Sequence, residues 1–353
     1  MEQYPIFIIF AAGMLRTTLL VLTLIMASCI MGDAGVQAEP ADSVTSSWRR
    51  VLHKVEDLLD LRDGHLNYDT LSLARRREGV RLRLAVNGYG TSLDVRGTQG
   101  DERYKSSLEA ENKYTVGFSA HWRGLSAGVT LNPYRFAGKN KDFEVTLNAY
   151  GNRLGADIVY QTANTFEGKT RLGSVTSHVS TGKVGQDMFI VNAYYAFNGR
   201  RFSYPAAFGQ SWRQLRSCGS WMLGASFMWR DLDVEGSYVW DNEPVELRTR
   251  CYAVGAGYGY NLVLPHGWLC HLSALPELVV YNHSRLTVGS ESNTMATSFP
   301  EFIYTGRMSI TRNFSRYFMG MYSIVTISDI GDSDQVRVEN LKWQACLFFG
   351  IQL

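Results

Sequence analysis

The sequence carries almost no net charge of either sign. Its 35 Lys and Arg residues face 33 Asp and Glu, a formal balance of +2, so there is no basic surplus to build a phosphate-binding surface and no nucleic-acid partner is expected. Proline is scarce, with 8 in 353 residues, which leaves few local obstacles to long β-strands. The chain has no H-E-x-x-H and no C-x-x-C, so zincin and thioredoxin-type chemistry have no local signature. Cysteine is sparse as well. Beyond Cys29 only Cys218, Cys251, Cys270 and Cys346 occur, at spacings that match no metal motif. Alternation puts Cys251 and Cys346 inward and Cys270 outward, so mostly unpaired thiols, no metal site and no cofactor are expected.

What is present is alternation. Between Arg250 and Asn282, Tyr252, Val254, Ala256, Tyr258, Tyr260 and Leu262 fall on one face of an extended chain. Cys251, Ala253, Gly255, Gly257, Gly259 and Asn261 fall on the other. Leu264-Pro265-His266-Gly267 has turn chemistry. The returning run sets Trp268, Cys270, Leu272, Ala274, Leu278 and Val280 against His271, Ser273 and Glu277. Each run exceeds the roughly 9–11 residues with which a tilted strand crosses a bilayer. Apolar side chains outward, small or polar ones inward and aromatics toward the ends are the pattern of a transmembrane β-barrel. The mean hydropathy of −0.13 is compatible with this, because alternating faces average out. Aromatics at 12%, with 19 Tyr, suit interfacial girdles.

The N-terminus reads as an export signal. Arg16 precedes an apolar core, Thr17–Ala27, and small residues end in Val36-Gln37-Ala38. Residues 1–38 are therefore expected to be a signal peptide cleaved after Ala38, with translation starting at Met1 or Met14. Ala27-Ser28-Cys29 raises a lipid anchor on Cys29, but Met26 stands where such signals usually carry Leu, and a small apolar signal residue is the better reading. Residues 39–79 form a periplasmic segment in which Trp48–Leu61, with Val51, Val55, Leu58 and Leu59 on one stripe, predicts a short helix with a solvated charged face.

From Val80 to Leu353 the period is two. Val80–Asn87, Tyr114–Arg123, Leu125–Asn132, Phe143–Tyr150, Leu154–Gln161 and Met188–Phe197 read as strands, as do Ser220–Trp229, the two long strands above, Glu301–Thr311, Tyr317–Ile327 and Asn340–Leu353. Short turns at Gly124, Gly151-Asn152, Pro265–Gly267 and Asn313–Arg316 alternate with long polar loops near 97–112, 133–142, 162–187, 282–299 and 328–338. Barrels of the outer membrane show this asymmetry, with short periplasmic turns and long extracellular loops. Two stretches are doubtful as strands: 201–208, which contains Pro205 and reads as a periplasmic connection, and the acidic 232–240. Omitting both gives an antiparallel up-and-down barrel of about twelve strands; including both gives fourteen.

The inward face collects Arg81, Arg83, His121, Arg123, Glu144, Asp157, His271, Glu277 and Arg307. A dry soluble core holds so many charges only with extensive pairing, whereas a wet lumen holds them readily. This disfavours a soluble periplasmic ligand-binding barrel. The pieces NAYYAFN (192–198), RFSYPAAFGQS (201–211), GSWMLGASF (219–227), VGAGYGYNLVLPHGWLCHLSALPELVVY (254–281), TGRMSITRNFSR (305–316) and KWQACLFFGIQL (342–353) resemble an uncharacterised family of Bacteroidetes outer-membrane-type barrels, domain of unknown function 4421. The resemblance implies fold and location and carries over no reaction, ligand or catalytic residue.

Chemistry remains to be weighed. His271 with Ser273 and Glu277 is the most suggestive set for an outer-membrane lipid hydrolase, but roughly 6–7 Å of strand rise separates the first two backbones. His121 with Ser119, and His283-Ser284, are similar sets; for each, a satisfied lumen or rim residue is the plainer reading. Gly255, Gly257 and Gly259 lack the helix that a phosphate cradle needs, and close strand packing explains them better. Asp329–Asp334 (DIGDSD) misses the spacing of a calcium loop. The expectation is a non-enzymatic barrel, acting as a narrow channel or as a structural and interaction protein. Its partners would be outer-membrane lipid, the barrel-assembly machinery and a small-molecule solute.

Overall fold

The computed structural model describes residues 68–75, 80–122, 125–131, 143–236, 239, 243–295, 299–332 and 335–353. The signal segment 1–38, the Trp48–Leu61 helix, Arg123, the 133–142 loop and the side chain of His121 lie outside the described residues.

In chain order the strands are β1 (Leu73–Arg75), β2 (Arg81–Gln99), β3 (Glu102–Glu109), β4 (Lys113–Trp122), β5 (Leu125–Leu131), β6 (Phe143–Tyr150), β7 (Leu154–Ala163), β8 (Glu167–Leu172), β9 (Val175–Val179) and β10 (Val184–Ala196). A helix α1 (Tyr204–Phe208) and β11 (Trp212–Gln214) precede β12 (Cys218–Val234), β13 (Val245–Leu264), β14 (Trp268–Val288), β15 (Glu291–Thr294), β16 (Phe302–Asn313), β17 (Tyr317–Gly331) and β18 (Val336–Gln352). Twelve of these, β2, β4, β5, β6, β7, β10, β12, β13, β14, β16, β17 and β18, pair with their neighbours in antiparallel order, and β18 returns to β2 to close the ring. The seam runs from Val336 opposite Gly97 to Gln352 opposite Arg81. Closure matters because an open edge in a membrane would strand its N–H and C=O groups.

One end carries tight connections, including the Pro265–Gly267 turn, where His266 and Gly267 adopt φ of 62° and 81°. The other end is built up further than the polar sequence there suggests. The segment 97–112 is no open loop: β2 continues to Gln99 and hairpins into β3. Likewise 162–187 contains β8, β9 and the start of β10, and β3, β8 and β9 extend the sheet beyond the ring. β14 and β15 do the same within 282–299. The few apolar residues of these segments, such as Tyr104 and Leu108 on β3, are too widely spaced among polar ones to show apolar alternation, so composition alone reads them as loops. Residues 232–234 prove to be the end of β12, not a separate strand.

Segment 198–217 is the other correction. It does not run as a plain connection along the rim. Pro205 opens a one-turn helix whose N-cap, the Ser203 hydroxyl, accepts the Ala206 N–H at 3.2 Å, and all five helical residues are buried. β11 pairs with β1, bringing Leu73 and Trp212 into one cluster with Phe202, Tyr204 and Phe208 and with the barrel-wall residues Tyr194, Met222 and Leu275. The segment is a plug in the turn end of the barrel. Pro205, which is hostile to a strand, is well suited to a helix start.

Outward, β12 shows Trp221, Leu223, Ala225, Phe227 and Trp229, nine residues from first to last, before Asp231 and Asp233. Leu272 and Leu347 on the same surface are 69% and 64% exposed. Phe189, Phe227, Tyr252 and Tyr281 stand side by side on β10, β12, β13 and β14, with successive ring centroids 6.3, 5.0 and 5.9 Å apart. They form an aromatic row at the upper margin of this belt. Cys251 and Cys346 face inward, and Cys270 is half-buried on the outer face.

The β13–β14 register shifts between Tyr252 and Ala253. Pro276, with no N–H to give, sits in the middle of β14, and the ladder is interrupted between Gly255 opposite Glu277 and Tyr258 opposite Ala274 without a change of register. There the backbones come so close that a Cβ at Gly255 or Gly257 would collide with the carbonyl oxygens of Pro276 and Ala274. Gly257→Val is expected to lower stability by about 1–3 kcal/mol through overpacking. Gly306→Ala, where a Cβ meets nothing within 4 Å, is expected to stay within about 0.5 kcal/mol of wild type. Urea unfolding in lipid vesicles checks both.

Candidate functional site

The inward alternation of β2 delivers Arg81 and Arg83 to the C-terminal end of α1. Arg81 Nη1 donates to the Gln210 carbonyl at 2.8 Å and Arg83 Nη1 to that of Phe208 at 3.4 Å. These carbonyls lie where a helix leaves its acceptors unsatisfied and its dipole is negative, so two cations are well placed. Arg83 also donates to Cys346 Sγ at 3.0 Å and lies 4.2 Å from the Phe348 ring centroid.

A directed chain of hydrogen bonds links plug and wall. Arg307 on β16 donates through Nη2 to Asp157 Oδ2 on β7, while Tyr150 donates to Asp157 Oδ1. Through Nη1 it donates to the Tyr204 hydroxyl of α1 at 2.9 Å. That hydroxyl lies 3.1 Å from Ser273 Oγ, which in turn lies 3.0 Å from His271 Nε2. His271 Nδ1 stands 2.7 Å from Asn261 Oδ1, an acceptor, so Nδ1 carries the proton and Nε2 accepts from Ser273. Asn261 Nδ2 then donates to the Ser203 carbonyl and to Gln214 Oε1, each at 2.9 Å, and both acceptors belong to the plug. Ser203 Oγ donates to Asn152 Oδ1 at 2.6 Å. Every link has one donor and one acceptor. Apart from the Arg307 Nε, which is buried without an acceptor, these links hold their members in one arrangement.

Of the set His271, Ser273 and Glu277, the first two meet and the third does not join them. Glu277 accepts from Ser226 on β12, and the residue that orients His271 is Asn261. Serine donating to a histidine that is held by a side-chain carbonyl has the order of a hydrolytic relay. Here it is walled in: Phe202, Tyr204 and Phe208 pack around the imidazole with centroids 6.0, 5.0 and 5.2 Å away. His271 is 3% exposed and Ser273 5%.

Arg81, Arg83, Glu144, Asp157, His271, Glu277 and Arg307 all point inward. Glu144 pairs with Lys342 at 3.1 Å. Above the plug a cavity of about 80 Å³ is bordered by the charged residues Arg83, Glu144, Asp157, Arg307 and Lys342 together with apolar ones such as Ile190 and Phe208. Sequence reasoning passed over Lys342, Asn261, Glu301 and Arg230, although strand parity puts each of them on the inner face. Arg230 is completely buried, with Met188, Met228 and Cys251 around it in the next layer, and none of its guanidinium nitrogens has a hydrogen-bond acceptor. The plug residues were missed for a different reason, since a five-residue helix has no periodicity to read.

Beyond Trp229, where the outward belt ends, Asp231, Asp233 and Glu246 bring carboxylate oxygens within 4.8 Å of one another. Arg248 bridges them, 3.3 Å from Asp231 and bonded to Glu246, so the group is an ion-pair cluster. Burial, reinforced by the Asp233 and Glu246 charges against the pull of Arg248, pushes the Asp231 carboxyl up to about 7.

The sequence pattern of a family described as a domain of unknown function, DUF4421, matches residues 67–351. The chain belongs to this family. Among curated proteins none matches it. Among solved structures, this DUF4421 chain is similar to the outer membrane protease OmpT from Escherichia coli at 6% identity and a TM-score of 0.43, covering 79% of this chain and 98% of that one. It is similar to the translocator domain of autotransporter NalP from Neisseria meningitidis at 10% identity and 0.27, covering 89% and 98%. The outer membrane protein OprG from Pseudomonas aeruginosa matches at 8% and 0.27, covering 81% and 99%. These values are too low to transfer a property to the DUF4421 chain.

Two outcomes are expected. Arg307→Met leaves Asp157 buried without its cation and lowers unfolding stability by about 3–5 kcal/mol, part of which Asp157→Asn in the same chain restores; urea titration in vesicles measures it. Because Asp231 binds its proton more tightly folded than unfolded, stability falls as pH rises from about 4 to about 7. Asp231→Asn flattens that slope in a pH series of thermal unfolding.

Proposed function

We propose that this DUF4421 chain is an exported, non-enzymatic barrel of the outer membrane. Its lumen is closed in the present state, and it acts as a gated conduit for small polar solutes. The observation that carries the reading is the plug: segment 198–217, the connection between β10 and β12, occupies the turn end of a charged lumen and is held there by side-chain packing and hydrogen bonds, with no cross-link to the wall among the described residues. A lumen lined by Arg83, Glu144, Asp157, Arg307 and Lys342 hydrates as soon as the plug withdraws, whereas a barrel serving only as a scaffold has no need of buried charge.

The outward belt supports placement in lipid. An exposed apolar surface running around the molecule and edged by aromatics marks a membrane-facing surface, and it weighs against a soluble periplasmic barrel. The charged rim beginning at Asp231 and Arg248 fits the aqueous side. Export by residues 1–38 and insertion by the barrel-assembly machinery belong to the same proposal, with the tight turns facing the periplasm.

A lipid hydrolase built on His271 and Ser273 is the rival, favoured by their 3.0 Å contact. The aromatic wall of the plug and the inward aim of both residues oppose it, because an acyl ester would have to displace Phe202 and Tyr204 to reach Ser273.

In planar bilayers the wild type is expected to stay closed for most of the recording. Tyr204→Ala with Phe208→Ala, which strips the plug of its wall contacts, is expected to raise open probability at least tenfold. Folding is checked by heat-dependent mobility on a gel. Folded plug variants that pass no current would remove the conduit reading and leave a structural role. Ser273→Ala is expected to leave any lipid hydrolysis by the purified protein unchanged, and its loss would establish the rival.

A further inference from the structure

Above the belt the inner face changes character at one level on five strands. On β2, Arg81, Arg83, Asn87 and Thr91 give way to Leu93 and Val95. Gln186 gives way to Val184 on β10, Arg230 to Leu232 on β12, Thr249 to Leu247 on β13, and Asn340 to Val338 on β18. The extended sheet β3–β8–β9 arches over this collar and contributes Tyr104 and Leu108 to the same apolar cluster. Water is the default occupant of a barrel mouth, and an apolar ring there is poorly hydrated.

The cluster does not close on itself. It borders a pocket of about 280 Å³, open to solvent on one side, whose apolar wall includes Val95, Leu108, Val184, Leu232, Leu247 and Leu286. An apolar cavity of about 150 Å³ is enough to take up benzene, so a space of this size has room for a one- or two-ring molecule. Several of the polar groups on its wall are engaged with one another, and Ser177, His178 and Ser180 also line it. Ser106 and Thr170 share a hydrogen bond at 2.8 Å, the Tyr104 hydroxyl donates to the Gln335 carbonyl at 3.3 Å, and Lys183 pairs with Glu235 at 3.2 Å. Lys183 and Glu235 of the wall are paired to each other, which leaves no permanent charge to recognise an ion.

We propose that this vestibule is a binding site for a small uncharged apolar molecule, of the size of a one- or two-ring hydrocarbon or a short acyl chain. The site is separate from the plug and from the polar lumen beneath it, and its existence does not depend on whether the barrel conducts. Arg230, buried directly below Leu232, stops an apolar occupant from sinking into the lumen, because the molecule would have to displace contacts around a guanidinium it cannot pair with.

The test is photolabelling of the full-length protein in lipid nanodiscs with 3-trifluoromethyl-3-phenyldiazirine, with and without excess naphthalene as competitor, and mapping of adducts by mass spectrometry. Adducts on Val184, Leu232 or Leu247 that naphthalene suppresses at least fivefold are expected, while adducts on the belt residues Leu223 and Phe227, which see probe dissolved in lipid, persist. Leu232→Trp fills the cavity and is expected to reduce vestibule labelling at least tenfold with belt labelling unchanged, which also certifies that the barrel is folded. Should that variant fail to fold, Val95→Phe fills the space from another strand. Labelling confined to the belt, or vestibule labelling that neither naphthalene nor a filled cavity reduces, would overturn the proposal.

Discussion

The guanidinium of Arg307 is the point on which the interior depends. One edge of its fork satisfies Asp157 on the opposite wall, and the other satisfies Tyr204 on the plug. An arginine can do this because its donors are fixed in a plane and paired, so one cation serves two acceptors at a set angle. The same contact lets the Tyr204 hydroxyl pass its own proton onward to Ser273 and orders the chain through His271 to Asn261. Without the cation, Asp157 is a buried charge that keeps the Tyr150 hydroxyl but loses its counter-ion.

Three levels follow along the axis, each with its own solvent logic. At the turn end, aromatics of the plug and wall pack as a small core, with arginines closing the helix carbonyls. Charges are paired across the lumen in the middle, where Glu144 meets Lys342 and Asp157 meets Arg307. At the loop end the inner face turns apolar beneath an arch of sheet. The outer surface runs in the opposite sense, apolar through the belt and charged above it. A barrel permits this because alternate residues answer to different solvents, so each face is set independently of the other.

Strand parity made much of this legible. Cys251, Asn261, His271, Glu277 and Arg307 could each be set on the inner face from the sequence, since a side chain two residues along a strand returns to the same side. The ring of twelve was legible too, because apolar alternation marks every segment that crosses the belt. The sheet above the belt was not: β3, β8 and β9 carry only scattered apolar residues among polar ones, so no sustained alternation separates them from loops. The plug was invisible for the same kind of reason. Pro205 correctly excluded a strand at 201–208, but whether that segment lies on the rim or in the lumen depends on residues far away in sequence.

What the sequence by itself determined is therefore the local geometry: the period of two, the direction each side chain faces, the positions of tight turns, and membership of a barrel family. Tertiary structure alone decided which inward groups meet. Asp157 and Arg307 lie 150 residues apart, and Arg81 and Gln210 lie 129 apart. Their pairing depends on how the ring closes, which side chain reaches across the lumen, and where the plug comes to rest. Local pattern carries no information about those distances, and the chemistry of the lumen is set by them.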